Sequence, residues 1–136
     1  MTPDVADAAD VTTVPGEVVW AALGPVRGRE QDGHRPVLVV ASEPYLRVVT
    51  TLAVVVPLTT VHRGWPNHVP VRGALRLPAP SWAMTEQVRA IDRARITGTA
   101  GYADGATMAD VAVYLGDFLD LGHPRPRPAV EYPQGV

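Results

Sequence analysis

Two residue types, cysteine and lysine, are missing from this 136-residue chain, and each absence narrows the class of protein to which it can belong. There is no cysteine, which excludes a disulfide framework, a thiolate metal site and a cysteine nucleophile. No apolar run approaches the ~20 residues that a membrane-spanning helix needs, and the acidic first ten residues lack the basic and apolar regions of a signal peptide. We therefore expect one soluble, cytoplasmic domain with a single core and no contact with a membrane.

Lysine is also absent, so all twelve basic residues are arginine, whose planar fork binds phosphate through two N–H groups. The net charge is −2, but residues 15–96 carry ten arginines and six acids, a local charge of +4. Residues 1–14 and 97–122 carry acids and no base. Because local charge steers a partner more than total charge does, the middle of the chain is the expected site for an anion. The alternative is an ordinary solvated surface.

The stretch at residues 24–41 changes character halfway along. Residues 24–34 form a loop with three glycines and a polar run, and residues 36–41 are an apolar, β-branched run typical of a buried strand. Arg35 lies at the joint, with its base anchored at a strand and its head beside the loop. Binding and catalytic groups tend to occupy such positions. The alternative is that Arg35 caps the strand or pairs with Glu30.

The rest of the domain is predicted to contain short strands. The predicted strands are residues 17–23, 36–41, 48–58, 68–71, 82–91 and 96–101. Residues 42–47 are expected to form a turn or a single helical turn, and residues 73–81 a proline-bearing connection. Pro57 cannot donate to a ladder, so the end of its strand is predicted to be an edge or a bulge. Trp82 is predicted to belong to the core.

Residues from Asp104 onward change to a helical period. Asp104 is a candidate N-cap with Thr107 three residues later, and Gly122 is predicted to end the helix. One apolar face is expected to pack on the core; it consists of Met108, Val111, Ala112, Leu115, Phe118 and Leu119. We predict a disordered acidic arm at residues 1–14 and a proline-rich, flexible tail at residues 123–136. The fold class is mainly β with a C-terminal helix, a small antiparallel sheet partly closed like a barrel.

Five stretches in fixed order carry a resemblance to a known family. They are GEVVW, GPVRGREQDGHRPVLVV, VVVPLTT, PSWAMTEQVRAIDRARI and a helix that closes on LGDFLDL. In this order the chain resembles the MazF/PemK (Kid) family of toxin endoribonucleases, over residues 16–121. The first long stretch and the EQVR stretch followed by IDR are two independent matches, so the resemblance does not depend on one short motif. The domain implied by it is residues 15–122.

The resemblance implies an SH3-like small barrel of the CcdB/Kid/MazF type, paired as a homodimer. It implies sequence-specific cleavage of single-stranded RNA without a metal or other cofactor, which stops translation and growth. It further implies a cognate MazE-like antitoxin that lays a flexible acidic segment across the RNA groove. Family activity is carried by an arginine before the second strand's proline and a threonine after the third strand, here Arg35 and Thr59. Some members use a further arginine, but Met84 occupies that position here, which places more of the chemistry on Arg35.

RNA cleavage by the 2′-hydroxyl needs proton transfers as well as charge stabilisation. The candidates for an acid or base are Glu30, His34 and Glu86, with pairing to Arg89 as the alternative role of Glu86. Candidates for RNA binding are polar or aromatic side chains on and near the loops: Arg29, Gln31, Arg63, Trp65, His68, Gln87 and Arg89. The four histidines show no spacing typical of a metal site, so we predict no metal.

Two other classes of function are alternatives for this chain. A CcdB-type toxin, which poisons DNA gyrase on the same fold, depends on a tryptophan near its C-terminal end, and this chain has none there. The other is an SH3-like RNA- or protein-binding module that binds without cutting. The nature of the RNA target, whether messenger, ribosomal or transfer RNA, is not set by the sequence.

Overall fold

The computed structural model of the protein describes residues 13–24 and 33–121. The tail predicted at residues 123–136 and most of the predicted arm lie outside these ranges. The last two residues of that arm, however, are ordered. Thr13 is only 6% exposed, and the carbonyl of Val14 accepts a hydrogen bond from the backbone N–H of Glu17 at 3.1 Å. Thr13 and Val14 therefore pack against the start of β1.

The described chain consists of eight strands, two α-helices and two 3-10 turns. In chain order these are β1 (Glu17–Ala22), β2 (His34–Val39), α1 (Glu43–Val48), β3 (Leu52–Thr59), β4 (His68–Pro70), β5 (Gly73–Leu75), β6 (Trp82–Met84), a 3-10 turn (Thr85–Gln87), β7 (Arg89–Asp92), a second 3-10 turn (Arg93–Arg95), β8 (Ile96–Ala103) and α2 (Gly105–Phe118).

The strands form one antiparallel sheet in the order β4-β6-β3-β2-β1-β8-β5, with β7 also paired to β3. β4 and β5 lie at opposite ends of this order, yet only Val71 and Arg72 separate them along the chain. Two ends joined by so short a link force the sheet to curl round on itself. The predicted fold, a partly closed antiparallel barrel with a C-terminal helix, is confirmed.

Apolar side chains cover both faces of the sheet. Neighbours along a strand point to opposite faces, and both members of pairs such as Val18 with Val19 and Val55 with Val56 are buried. One cluster contains Val19, Val37, Val39, Val55, Ile91 and Leu46 of α1. The other contains Val18, Leu38, Val56, Leu58, Val69 and Val111 of α2. The strands are therefore runs of apolar residues instead of an alternating pattern.

The predicted strand at residues 48–58 starts too early. The Oγ of Ser42 accepts a hydrogen bond from the backbone N–H of Tyr45 at 3.2 Å, and Pro44 lies in the first turn. Both features favour a helix start, so the chain forms α1 and reaches β3 only at Leu52. The predicted connection at residues 73–81 likewise contains a strand, β5, which pairs with β8.

Pro57 lies in an interior strand, so the edge predicted for it is wrong. Residues 52–55 of β3 pair with β7, whereas Leu58 and Thr59 pair with β6. Pro57 falls in the gap where β3 changes partner, and the ladder tolerates a missing N–H there. The same gap explains why the strand predicted at residues 82–91 is two strands. Between them Thr85 turns away from the ladder, and its hydroxyl donates to the carbonyl of Asn67 at 2.7 Å.

The IDR motif joins α1 to the sheet. The Nε of Arg93 donates to the carbonyl of Leu52 at 2.9 Å. Its Nη2 donates to the carbonyls of Val49, at 3.1 Å, and Leu46. These groups lie at and just beyond the end of α1, where helical carbonyls lack partners. One guanidinium therefore caps the C-terminal end of α1, whose Leu46 lies 47 residues before Arg93 in the sequence.

The helix α2 starts as predicted but packs only in part. The Oδ1 of Asp104 accepts a hydrogen bond from the backbone N–H of Thr107 at 2.8 Å, which lowers the pKa of that carboxyl. Val111 is buried, and Met108 and Leu115 pack beside it. Ala112, Phe118 and Leu119 are exposed, so the predicted core face is wrong for these three. The helix ends at Phe118, earlier than predicted. No helix in the described part of the chain is long and apolar enough to cross a membrane.

A candidate nucleic-acid interface

Arg35, Thr59 and Trp82 lie in one row across the sheet. Thr59 of β3 is paired with Trp82 of β6. The β2–β3 register runs through Val37 opposite Pro57, and its continuation by two residues places Arg35 opposite Thr59. Cross-strand partners project from the same face. The row therefore presents a guanidinium, a hydroxyl and an indole side by side on one face of the sheet.

The hydroxyl of Thr59 also shapes the chain that follows it. Its Oγ1 accepts a hydrogen bond from the backbone N–H of Val61 at 3.1 Å. This is a turn made by a threonine side chain, and it uses only one acceptor position of a hydroxyl that can still donate. The chain then places the ring of His62 flat on the ring of Trp82, with centroids 4.6 Å apart and an angle of 3° between the planes.

The chain segments on either side of residues 25–32 are held close together. The backbone N–H of Leu23 donates to the carbonyl of Gly33 at 3.0 Å. Gly33 has a φ of +66°, and a Cβ there would lie 2.6 Å from the carbonyl oxygen of Gly24. Only glycine fits this closure. The predicted site residues Arg29, Glu30 and Gln31 fall between Gly24 and Gly33 in the sequence and lie outside the described residues.

His34 and Arg89 lie on different faces of the sheet. His34 is paired with Ala22 and Arg35 with Ala21, so the two neighbours project from opposite faces. The prediction that His34 takes part in proton transfer beside Arg35 is therefore not supported by the placement. Arg89 is opposite Val55, and Val55 shares a face of β3 with Thr59. Arg89 is exposed and on the same face as the row.

Glu86 is bonded to His68 instead of Arg89. The Nε2 of His68 lies 3.0 Å from each carboxylate oxygen of Glu86, and the Nδ2 of Asn67 donates to its Oε1 at 2.8 Å. Burial raises the pKa of Glu86, but hydrogen bonds and the charge of His68 outweigh it, so the pKa is below the ordinary value. An ionised carboxylate can only accept. Glu86 is therefore held as a structural acceptor.

His68 is buried, which corrects its prediction as an RNA contact. It is 4% exposed, and its Nδ1 has no hydrogen-bond partner among the described residues. The ring of Trp65 covers it at 4.7 Å, tilted by 48°. Trp65 itself is 50% exposed, and the guanidinium carbon of Arg63 lies 5.9 Å from its ring centroid. The predicted contacts Arg63 and Trp65 thus remain open to a ligand, on a support made by His68.

Gln87 lies beside Glu86 and Met84. Its Nε2 is 3.5 Å from the Oε2 of Glu86 and 3.6 Å from the Sδ of Met84. It is exposed at the end of the first 3-10 turn.

No group of three or more His, Asp or Glu side chains that could hold a metal ion occurs within residues 13–24 and 33–121.

Sequence reasoning missed His62 and misplaced Trp82. Trp82 lies within a strand but is only half-buried, because it packs under His62 instead of inside a core cluster. The two residues are 20 positions apart, and no spacing rule connects them. The turn from Thr59 to Val61 has one local signal in the sequence. This signal is a threonine at the end of a strand, to whose hydroxyl a following backbone N–H can bond.

The fold and the row define a class: a small, partly closed antiparallel barrel with a polar and aromatic row on one face. The family model of the PemK-like, MazF-like toxins of type II toxin-antitoxin systems matches residues 14–119 of the chain. The chain belongs to this family.

Its relatives and structural neighbours carry the same family name. The chain is 32% identical over 108 residues to endoribonuclease MazF6 of Mycobacterium tuberculosis, a match that covers 77% of this chain and 95% of the relative. MazF of Deinococcus radiodurans is similar in structure, with a TM-score of 0.68, 29% identity and coverage of 82% of this chain and all of that one. A MazE-MazF structure from the same organism has a TM-score of 0.67 at 26% identity, and covers 83% of this chain and all of that one.

Proposed function

We propose that this chain is the toxin of a type II toxin-antitoxin system and a sequence-specific endoribonuclease for single-stranded RNA. The observation that carries the proposal is the row: Trp82 is the cross-strand partner of Thr59, and the β2–β3 register, continued by two residues, places Arg35 on the other side of Thr59. A phosphodiester needs charge neutralised at its oxygens, and a base next to it needs an aromatic surface. The row offers the charge, and Trp65, which is half exposed on the segment between β3 and β4, offers the aromatic surface.

The reaction uses the nucleophile that RNA itself provides. The 2′-oxygen attacks the adjacent phosphorus, and the bond from phosphorus to the 5′-oxygen breaks. Arg35 stabilises the extra negative charge of the phosphorane, because its guanidinium stays charged and its fork matches two phosphate oxygens. The hydroxyl of Thr59, which already accepts from Val61, donates to a phosphate oxygen. No metal is assigned a role.

RNA contacts are proposed to extend from the row to other arginines and to Trp65. Arg89 shares that face, and Arg63 and Trp65 are exposed on the segment between β3 and β4. Arg29, Gln31 and Gln87 are proposed to complete the contacts. The indole of Trp65 is suited to stacking on a splayed base. Because such contacts read base edges and faces, they would supply the sequence preference.

A cleavage assay tests this function. The purified protein is incubated with total RNA in EDTA, and fragment ends are sequenced. We expect defined cuts that leave 2′,3′-cyclic phosphate or 3′-phosphate, and unchanged rates with the chelator. Loss of cleavage in EDTA with recovery on adding one divalent metal would refute the metal-free mechanism. Intact RNA together with stalled gyrase would support the CcdB-type alternative, and RNA bound but uncut would support a binding module.

We further propose a homodimer in the cytoplasm, inhibited by a cognate antitoxin with a flexible acidic segment. The support is a set of apolar side chains on and after α2 that are half exposed or more: Val113, Phe118, Leu119 and Leu121. Burial of such a cluster favours association. An acidic chain would compete with RNA for the arginines of the row's face. Mass in solution, and cleavage with the neighbouring reading frame's product added, test both proposals.

A further inference from the structure

The three candidates predicted for proton transfer do not occupy the row. Glu30 lies outside the described residues, His34 projects from the opposite face to Arg35, and Glu86 is bonded to His68. Proton transfer to or from a positioned side chain contributes roughly 10²–10⁴ to a rate. The cleavage proposed above therefore still needs a titratable group beside Thr59.

His62 is placed where such a group is needed. Its ring stacks on Trp82 at 4.6 Å and 3°, and Trp82 is the direct cross-strand partner of Thr59. The turn closed by the hydroxyl of Thr59 leads the chain to this position. His62 is exposed, so stacking holds one flat surface of the ring and leaves its nitrogen-bearing edge accessible to a substrate.

We propose that His62 is the general base of RNA cleavage, an inference that rests on the proposed nuclease function. The neutral imidazole takes the proton of the 2′-hydroxyl, and the freed oxygen forms a bond to phosphorus. The bond between phosphorus and the 5′-oxygen breaks, and that oxygen takes a proton from solvent. The products are a 2′,3′-cyclic phosphate and a 5′-hydroxyl, and Trp82 is a positioning residue that fixes the ring.

The surrounding charges are compatible with this role. The segment of His62 contributes Arg63, β2 contributes Arg35, and β7 contributes Arg89. β3 and β6, which carry Thr59 and Trp82, contain no charged residue. The Glu86 carboxylate that follows β6 is bonded to His68. The charged residues that these elements bring to the face of the row and to the segment of His62 are thus arginines, and the Glu86 carboxylate is bonded to His68.

The test compares His62→Phe, which keeps a flat ring without a proton site, with His62→Ala and a Val61→Ala control from the same loop. Single-turnover cleavage of one defined RNA is measured from pH 5.5 to 8.5. Binding is measured with the same RNA carrying 2′-deoxyribose at the cut site. For the wild type and for V61A we expect a rate that rises about tenfold per pH unit on the acidic side and then levels.

For His62→Phe we expect a plateau about 10²-fold lower or more, no acidic limb, and binding within threefold of the wild type. Added imidazole should restore part of the rate to His62→Ala. A His62→Phe rate near that of the wild type would overturn the inference, and so would a loss confined to binding, which would make His62 a stacking surface. A wild type that cuts no RNA would refute the nuclease function itself, and the inference with it.

Discussion

His68 and Glu86, 18 residues apart, form a pair in which one imidazole nitrogen lies 3.0 Å from both carboxylate oxygens. The pair connects the loop that presents Trp65 to the turn after β6. Asn67 bonds to the same carboxylate, and the ring of Trp65 lies over the imidazole. The exposed Trp65 is therefore supported from beneath by a polar network that includes the buried His68.

We expect Glu86→Gln to destabilise the fold near neutral pH by about 1 to 3 kcal/mol, because a hydrogen-bonded charge is lost. The pKa of Glu86 is below its ordinary value of 4.5, so its stabilisation is present above that value. It is lost as the pH falls through the lowered pKa. Urea unfolding from pH 3 to 7 should therefore show the wild type and E86Q converging in acid.

The matched control for that experiment is Glu43→Gln. Glu43 pairs with Arg47 on the surface of α1, and exposed pairs contribute little. A constant difference between wild type and E86Q at every pH would mean that the charge of Glu86 is not what stabilises the network.

Arg35→Ala should lower the single-turnover cleavage rate by roughly 10²–10³, with an unchanged melting temperature. Arg35→Lys should lose much of the same activity, because an ammonium keeps the charge but not the fork. The control is Arg47→Ala, an exposed arginine of α1. If R35A cuts RNA as fast as R47A, Arg35 is not the group that stabilises the phosphorane.

Thr59→Ala should weaken cleavage by about 10², and far more than Thr60→Ala. The Oγ1 of Thr59 is in the row and holds the turn to Val61, whereas Thr60 is exposed beside it. Thr59→Ser keeps the hydroxyl and should retain most of the rate. Equal losses in T59A and T60A, measured under single-turnover conditions, would show that the wrong threonine has been assigned.

Arg93→Ala should destabilise the fold by about 2 to 3 kcal/mol, because backbone carbonyls around the end of α1 lose a charged donor. Arg95→Ala is the comparison, since within the described residues Arg95 makes one hydrogen bond, to the carbonyl of Ala22 at 3.0 Å. Thermal unfolding should show a clearly larger loss for R93A. Similar losses would mean that Arg93 does not hold α1 on the sheet.

Local patterns were enough to predict the fold class, and the family resemblance selected two of the three residues of the row. Apolar β-branched runs predicted β1, β2 and β8, and the Asp104 cap predicted the start of α2. The excess of arginine in residues 15–96 predicted an anionic partner. The family resemblance selected Arg35 and Thr59. These features depend on residues within a few positions of one another, where propensity and periodicity hold.

Tertiary structure decided what those patterns could not. The break between β6 and β7 arises because Thr85 bonds to Asn67, and Glu86 prefers His68 to a nearby arginine because the β4–β6 pairing brings them together. The position of the His62 ring depends on stacking against Trp82, which lies 20 residues further along the chain. The sequence by itself determined β1, β2, β8 and the start of α2. Strand register determined which side chains share a face, because pairing is set by contacts distant in sequence.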